Sequence, residues 1–91
     1  MWSHNGYLSM LTGIQIRASR SALRWSVVEL AERSGVSVRT IKRMEAQDLE
    51  PKSNVPNLRA VRLAFESAGI EFIGRPDDAP GIRIHKAEST K

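Results

Sequence analysis

The chain has 91 residues, a net charge of +4 at pH 7 and no cysteine. A chain of this length folds as one domain with a modest core, and the absence of cysteine excludes disulfides and thiolate metal sites as the basis of the fold. No apolar run approaches the roughly 20 residues that span a bilayer, and the first residues, MWSHNGYLS, lack the basic and apolar regions of a signal peptide. We therefore expect a folded cytoplasmic protein with no membrane segment.

The positive charge is concentrated in one part of the chain. Residues 10–45 contain seven arginines and lysines but three glutamates, whereas the two signs balance at seven each in the remaining residues. The whole excess of +4 therefore lies in this part. A local excess of this kind favours an anionic partner such as a nucleic acid.

The first helix of this basic part is predicted from its capping residues. Thr12 and Gln15 have the spacing of a capping box, which predicts a helix over residues 13–24. Arg20 lies one turn after Ile16 on the face of this helix that should be buried. A cation at such a position needs a partner.

Two further short helices follow. Ser26 and Glu29 form a second capping box and begin a helix of about eight residues that ends at Gly35, a residue type suited to the left-handed conformation. Ser37 caps a third helix over residues 38–46. The Ser-Gly-Val connection between them is typical of the turn of a helix-turn-helix. Three apolar residues should seal this joint: Val36, Ile41 and Met44.

The C-terminal half is predicted to hold one more helix and a hairpin. Residues 47–56 contain two prolines and several turn formers, which predict a loop. The runs IEFI (70–73) and GIRIH (81–85), on either side of a connection rich in Gly and Pro, predict a β-hairpin. A fourth helix, ending at Gly69, is predicted from apolar residues at helical spacing: Leu58, Val61, Phe65 and Ala68.

These elements together resemble a known family. Residues 25–47, WSVVELAERSGVSVRTIKRMEAQ, resemble the helix-turn-helix of the lambda-repressor-like, or Xre/Cro, family of DNA-binding proteins, and the likeness extends over residues 12–68. The ending GIEFI…GIRI is similar to that of a subset of short bacterial members. The resemblance implies a mainly α fold, a compact four-helix bundle with a small C-terminal β-hairpin, whose recognition helix, 38–46, enters the DNA major groove. The expected parts are an N-terminal extension (1–11), the helix-turn-helix domain (12–69), the hairpin (70–86) and a tail (87–91).

The expected DNA contacts lie mainly on the exposed face of the recognition helix. Arg39 and Arg43 are one turn apart there, and an arginine can donate two hydrogen bonds to the O6 and N7 atoms of guanine. Val38 either contacts a thymine methyl group or is an ordinary surface valine. At Val27 the sequence departs from the family, in which glutamine is common and its side chain touches the DNA backbone. The operator preference of a family member therefore cannot be assigned to this protein. The expected phosphate contacts are Arg17, Ser26, Ser37, Thr40 and Lys42.

The charge of Arg20 has a natural partner. Glu45 lies at the edge of the buried face of the third helix, and the family resemblance implies the same pairing. We expect this ion pair to fix the first helix against the recognition helix.

The sequence thus predicts a sequence-specific double-stranded DNA-binding protein that regulates transcription, most simply as a repressor. We expect a homodimer that reads two half-sites, with the hairpin and the Ile14 stripe of the first helix as contacts. Two alternatives are an antitoxin that binds a toxin and represses its own operon, and a protein-interaction module that has lost DNA binding. No catalytic, metal-binding or cofactor-binding motif is recognisable, so we expect no enzyme activity, no metal and no cofactor.

Overall fold

A computed structural model of the chain describes residues 11–48, 51, 54–75 and 78–85. Most of the predicted N-terminal extension and the whole predicted tail lie outside these residues. The expected mainly α architecture, four helices followed by a small antiparallel sheet, is confirmed. The elements are α1 (Gly13–Leu23), α2 (Val27–Ser34), α3 (Val38–Glu45), α4 (Val55–Ser67), β1 (Ile70–Arg75) and β2 (Asp78–Ile84).

The first helix begins with both halves of the predicted capping box. The Gln15 backbone N–H donates to Thr12 Oγ1 at 3.1 Å, and the Thr12 backbone N–H donates to Gln15 Oε1 at 2.8 Å. Two of the backbone donors that a helix start leaves unpaired are satisfied in this way. The bonds fix the start of α1 at Gly13, as predicted.

Serine caps begin α2 and α3. Ser26 Oγ accepts from the Glu29 backbone N–H at 3.0 Å, and Ser37 Oγ accepts from the Thr40 backbone N–H at 3.1 Å. The Glu29 carboxylate accepts from Nε of Arg33 at 2.7 Å. The cap of α2 therefore consists of the Ser26 hydroxyl, and the Glu29 side chain instead forms an ion pair with Arg33 along the helix.

The fourth helix begins earlier than predicted. The sequence predicts a loop over residues 47–56, but α4 begins at Val55 and holds Pro56 in its first turn. Proline is tolerated there because the N–H that it lacks would have no partner within the helix. Asn54 caps this start, since its Oδ1 accepts from the Asn57 backbone N–H at 2.8 Å.

The core draws on all four helices and the sheet. Its fully or nearly fully buried apolar residues are Leu11, Ile16, Leu30, Val36, Ile41, Met44, Leu58, Val61, Phe65, Ile70 and Phe72. The predicted extension ends at residue 11, but Leu11 is fully buried and belongs to the core. Phe65 stacks on Trp25 with ring centroids 5.6 Å apart. Burial of each large apolar side chain contributes about 1.5–3 kcal/mol.

The hairpin packs on the helices. Gln15 Nε2 donates to the backbone oxygens of Gly81 at 2.9 Å and Ile73 at 3.4 Å. Gln15 therefore takes part in the capping box of α1 and also contacts both strands. Phe72 meets Phe65 of α4 edge-on, with ring centroids 6.0 Å apart. An isolated two-stranded hairpin is marginal in water, and these contacts supply the support that it needs.

The strands extend further than predicted. The sequence predicts strands over IEFI and GIRIH, but the pairing shifts between Ile73 and Arg75 and continues to Arg75 opposite Asp78. Gly74 and Ala79 have φ angles of 75° and 54° in this part. An irregularity of this kind lets a ladder continue through residues that resemble a loop in sequence.

None of the helices among the described residues has the length and apolar character that a membrane crossing requires.

Candidate nucleic-acid interface

A glycine-centred turn orients α3 relative to α2. Gly35 ends α2 in the left-handed conformation, with φ 78° and ψ 8°. A Cβ atom at Gly35 would meet no atom within 4 Å, so the backbone conformation rather than space favours glycine. Val36, Ile41 and Met44 are buried around the joint, as the sequence predicts. Because these residues are packed, the direction of α3 is fixed by the core.

The two sides of α3 differ in character. The side that faces the protein is apolar apart from Glu45, which is also buried. Val38 is half-buried where the sequence predicts an exposed valine, so only part of its side chain is available to a ligand. The opposite side, called here the outer surface of α3, consists of three exposed cations: Arg39, Lys42 and Arg43.

The cations of the outer surface are not neutralised within the described part of the chain. The side chains of Arg39, Lys42 and Arg43 make no hydrogen bond or ion pair with any described residue. Arginine and lysine carry a full charge at neutral pH. Among the described residues, the outer surface of α3 is therefore a positively charged surface without an acidic partner.

Two hydroxyl groups lie together at the start of α3. Ser37 Oγ donates to Thr40 Oγ1 at 3.0 Å, in addition to accepting the capping bond from the Thr40 backbone. Ser37 is exposed, and so is Ser26 at the start of α2. The three predicted hydroxyl contacts thus lie at the N-terminal ends of two helices, where the helix dipole favours a negative group.

Arg20 and Glu45 form the ion pair that the sequence predicts. Arg20 Nε lies 2.7 Å from Glu45 Oε2, and Nη2 lies 2.9 Å from Oε1, so the contact is bidentate. The third donor, Nη1, reaches the backbone oxygen of Trp25 at 3.0 Å. The hydrogen bonds that Arg20 donates to Glu45 raise the pKa of Arg20 above its usual value, against the effect of burial. One guanidinium therefore connects α1, the segment before α2, and α3.

Arg17 is paired with groups near the end of α3, although its side chain is 41% exposed. Its Nη1 donates to the backbone oxygen of Glu45, and its Nη2 donates to Asp48 Oδ1 at 2.8 Å. These contacts satisfy carbonyl and carboxylate groups at the end of α3. The structure therefore does not bring Arg17 together with the free cations of the outer surface, although the sequence predicts a phosphate contact for it.

The close approach of α1 to the end of α3 depends on Gly13. A Cβ atom at this position would lie 1.9 Å from the backbone oxygen of Gln47 and 2.7 Å from that of Met44. No side chain fits at such distances. The sequence gives no signal for this contact, because Gly13 is separated from Gln47 by more than two helices.

Val27, in the first turn of α2, is half-buried and packs against the core.

The described residues contain no group of three or more His, Cys, Asp or Glu side chains that could hold a metal ion. No protein-family model matches this chain, and no curated protein matches it. The candidate interface therefore rests on the geometry and charge of α2, α3 and the segments around them.

Proposed function

We propose that this protein binds double-stranded DNA in a sequence-specific manner and regulates transcription, with α3 as the recognition helix. The observation that carries the proposal is the outer surface of α3, where three exposed cations have no partner among the described residues. The opposite side of the same helix is fixed in the core. A rigid helix that presents free cations suits a polyanion.

The arrangement of α2 and α3 supports this proposal. In a helix-turn-helix the second helix enters the major groove, which is about 12 Å wide and accepts one helix, while the first helix crosses the backbone. We assign α3 to the groove and α2 to the backbone, joined by the turn at Gly35. The resemblance of residues 25–47 to the lambda-repressor-like family supports the same assignment.

The side chains of α3 suggest a division of roles. Arg39 and Arg43 have the forked donors that guanine O6 and N7 accept, and the exposed part of Val38 suits a thymine methyl group. Lys42 is a point charge and suits a phosphate. The expected hydroxyl contacts to phosphates are Ser26, Ser37 and Thr40.

We propose further that two copies bind one operator and repress transcription by occupying a promoter. A single small module buries little DNA surface, whereas a dimer reads two half-sites about one helical turn apart. The exposed Ile84, with 59% of its surface accessible on the last strand, supports a contact between two hairpins. Size-exclusion chromatography with light scattering tests this, and a monomer mass at high micromolar concentration contradicts it.

Selection from a library of random duplexes tests the DNA-binding proposal without a known operator. Wild-type protein should enrich a short motif that contains guanines at fixed positions. Arg43→Ala should relax the preference at one of these positions, because a bidentate contact to guanine is worth about 1–3 kcal/mol. Arg59→Ala, a matched loss of one exposed and unpaired charge on α4, should enrich the wild-type motif.

The same selection separates DNA binding from a pure protein-interaction role. A protein-interaction module would enrich no motif and would bind no duplex at low salt. Weak binding without an enriched motif would show attraction to the DNA backbone alone. Either result would overturn the proposal of sequence-specific recognition.

A further inference from the structure

The residue that ends α1 has an unfavourable backbone conformation. Arg24 has φ 59° and ψ 35°, in the left-handed region, and its backbone N–H donates to the Ser21 oxygen at 3.1 Å. Helices commonly end in this conformation, but glycine is the usual residue because it has no Cβ atom to clash with the backbone. Arginine at this position therefore lowers stability relative to glycine, and strain of this kind is common at functional sites.

The ion pairs divide the cations of residues 10–45 into two groups. Three of the seven have an acidic partner: Arg17 with Asp48, Arg20 with Glu45, and Arg33 with Glu29. The other four make no side-chain hydrogen bond or ion pair with the described residues: Arg24, Arg39, Lys42 and Arg43. Arg24 is the member of this second group that lies outside α3, and it is exposed.

Arg24 belongs to the segment that leads from α1 into the Ser26 cap of α2. The Arg20 guanidinium contacts both the Trp25 backbone oxygen, at 3.0 Å, and the buried Glu45 carboxylate, so the segment between α1 and α2 is anchored to the inner side of α3. Arg24 directly precedes Trp25 and is two residues before Ser26, the cap of α2. Its long side chain thus begins beside the part of the molecule that would face the DNA backbone.

We propose that Arg24 contacts a backbone phosphate of the bound DNA, beside the phosphate assigned to Ser26, and that arginine is kept at this strained position for that contact. The inference rests on the proposed function and adds a residue to it. A phosphate contact carries no base preference, so Arg24 contributes to affinity equally on every sequence. Its loss should remove about one released counterion from the salt dependence of binding.

The test combines thermal unfolding with DNA binding in the full chain. Arg24→Gly removes the cation and relieves the strain, so its Tm should rise by about 4 °C while its affinity falls by the same factor for the selected operator and for a scrambled duplex. The slope of log K against log salt should decrease in magnitude by about 1. Arg24→Lys keeps the charge and should keep the slope. Arg59→Ala, which removes one exposed arginine of α4 without a partner among the described residues, should also keep it.

The outcomes separate this inference from the proposed function. Wild-type protein that binds no duplex would overturn both. Wild-type protein that binds, together with an Arg24→Gly variant that has the wild-type affinity and salt slope, would overturn the role of Arg24 alone. An equal decrease of the slope in Arg59→Ala would also overturn it, because net charge would then explain the effect.

Discussion

The inner junction of α3, where Arg20 meets Glu45, and the outer surface of α3 both contain arginine, but the surroundings of the arginines differ. At the inner junction Arg20 directs three hydrogen bonds to Glu45 and to the backbone before α2. On the outer surface Arg39 and Arg43 have no partner among the described residues. Charge alone therefore does not identify a residue that binds a ligand, because a cation that already has an acidic partner stabilises the fold instead.

The inner junction contains residues that orient α3, whereas the outer surface contains residues that α3 exposes to solvent. A substitution at the inner junction should lower stability first, and DNA binding only through the loss of orientation. A substitution on the outer surface should lower DNA binding and leave stability unchanged. Measurement of both stability and DNA affinity on the same variants therefore tests whether the two regions have these separate roles.

The largest expected effect is at the inner junction. Glu45→Ala leaves Arg20 without its acid, and the two side chains are 24% and 9% exposed, so the free energy of unfolding should fall by about 3 kcal/mol. Urea unfolding measures this loss. The control is Glu29→Ala, which breaks a pair with side chains 52% and 40% exposed and should cost about 0.5 kcal/mol. Equal losses in the two variants would contradict a special role of the inner junction.

The next effect is on the outer surface. Arg43→Ala should lower the affinity for the selected operator by about tenfold to a hundredfold, which corresponds to about 1–3 kcal/mol. Its free energy of unfolding should stay within about 0.5 kcal/mol of wild type, because the exposed side chain has no partner among the described residues. Fluorescence anisotropy and urea unfolding on one preparation measure both. A loss of stability as large as the loss of affinity would contradict the separation of the outer surface, which should contribute to binding, from the inner junction, which should contribute to stability.

A smaller effect is expected at the start of α3, the end of the helix opposite to the inner junction. Ser37→Ala removes the hydroxyl that accepts from the Thr40 backbone, and loss of such a cap costs about 1 kcal/mol. Chemical unfolding should show this decrease. Ser21→Ala, at an exposed position within α1, removes a hydroxyl with no capping role and should change stability by less than about 0.5 kcal/mol. A similar cost at both positions would show that the cap does not stabilise α3.

The smallest effect is predicted for the hairpin, where an acid has two basic neighbours. Glu71 Oε1 lies 2.8 Å from His85 Nε2 and 3.2 Å from Arg83 Nη1. The hydrogen bond from His85, followed by the charge of Arg83, lowers the pKa of Glu71. A lowered pKa in the folded state stabilises the protein above the usual pKa of glutamate, and this contribution is lost as the pH falls through the lowered value. Wild type should therefore lose more Tm between pH 7 and about pH 3 than Glu71→Gln. Identical pH profiles would show that Glu71 makes no contribution.

Local patterns in the sequence predict much of the fold. The capping box of Thr12 and Gln15, the cap at Ser37 and the left-handed Gly35 each depend on residues within a few positions of one another, and each is present in the structure. The contact of Arg20 with Glu45 spans a longer distance, but a cation on a buried face restricts the choice of partner. The free cations of α3 are predictable for a similar reason, because the apolar spacing of the helix defines which side is exposed.

The features that the sequence does not predict depend on distant contacts. Leu11 precedes the first helix and is buried by elements that follow it. Gly13 allows α1 to approach Gln47, and Arg17 reaches the end of α3, through contacts that no local pattern encodes. Pro56 resembles a loop residue in sequence but occupies the first turn of α4, where proline and the helix are compatible.

One titration distinguishes DNA binding by the outer surface of α3 from attraction by the net charge of the protein. A labelled duplex of the selected motif is titrated with wild type, Arg43→Ala and Arg33→Ala, and anisotropy is measured at several salt concentrations. Both variants lose one exposed arginine, but Arg33 pairs with Glu29 and lies over the Trp25 ring at 4.5 Å. We predict that Arg33→Ala keeps the wild-type affinity and that Arg43→Ala loses at least about tenfold. Equal losses in the two variants would contradict the claim, because net charge rather than the outer surface of α3 would then determine binding.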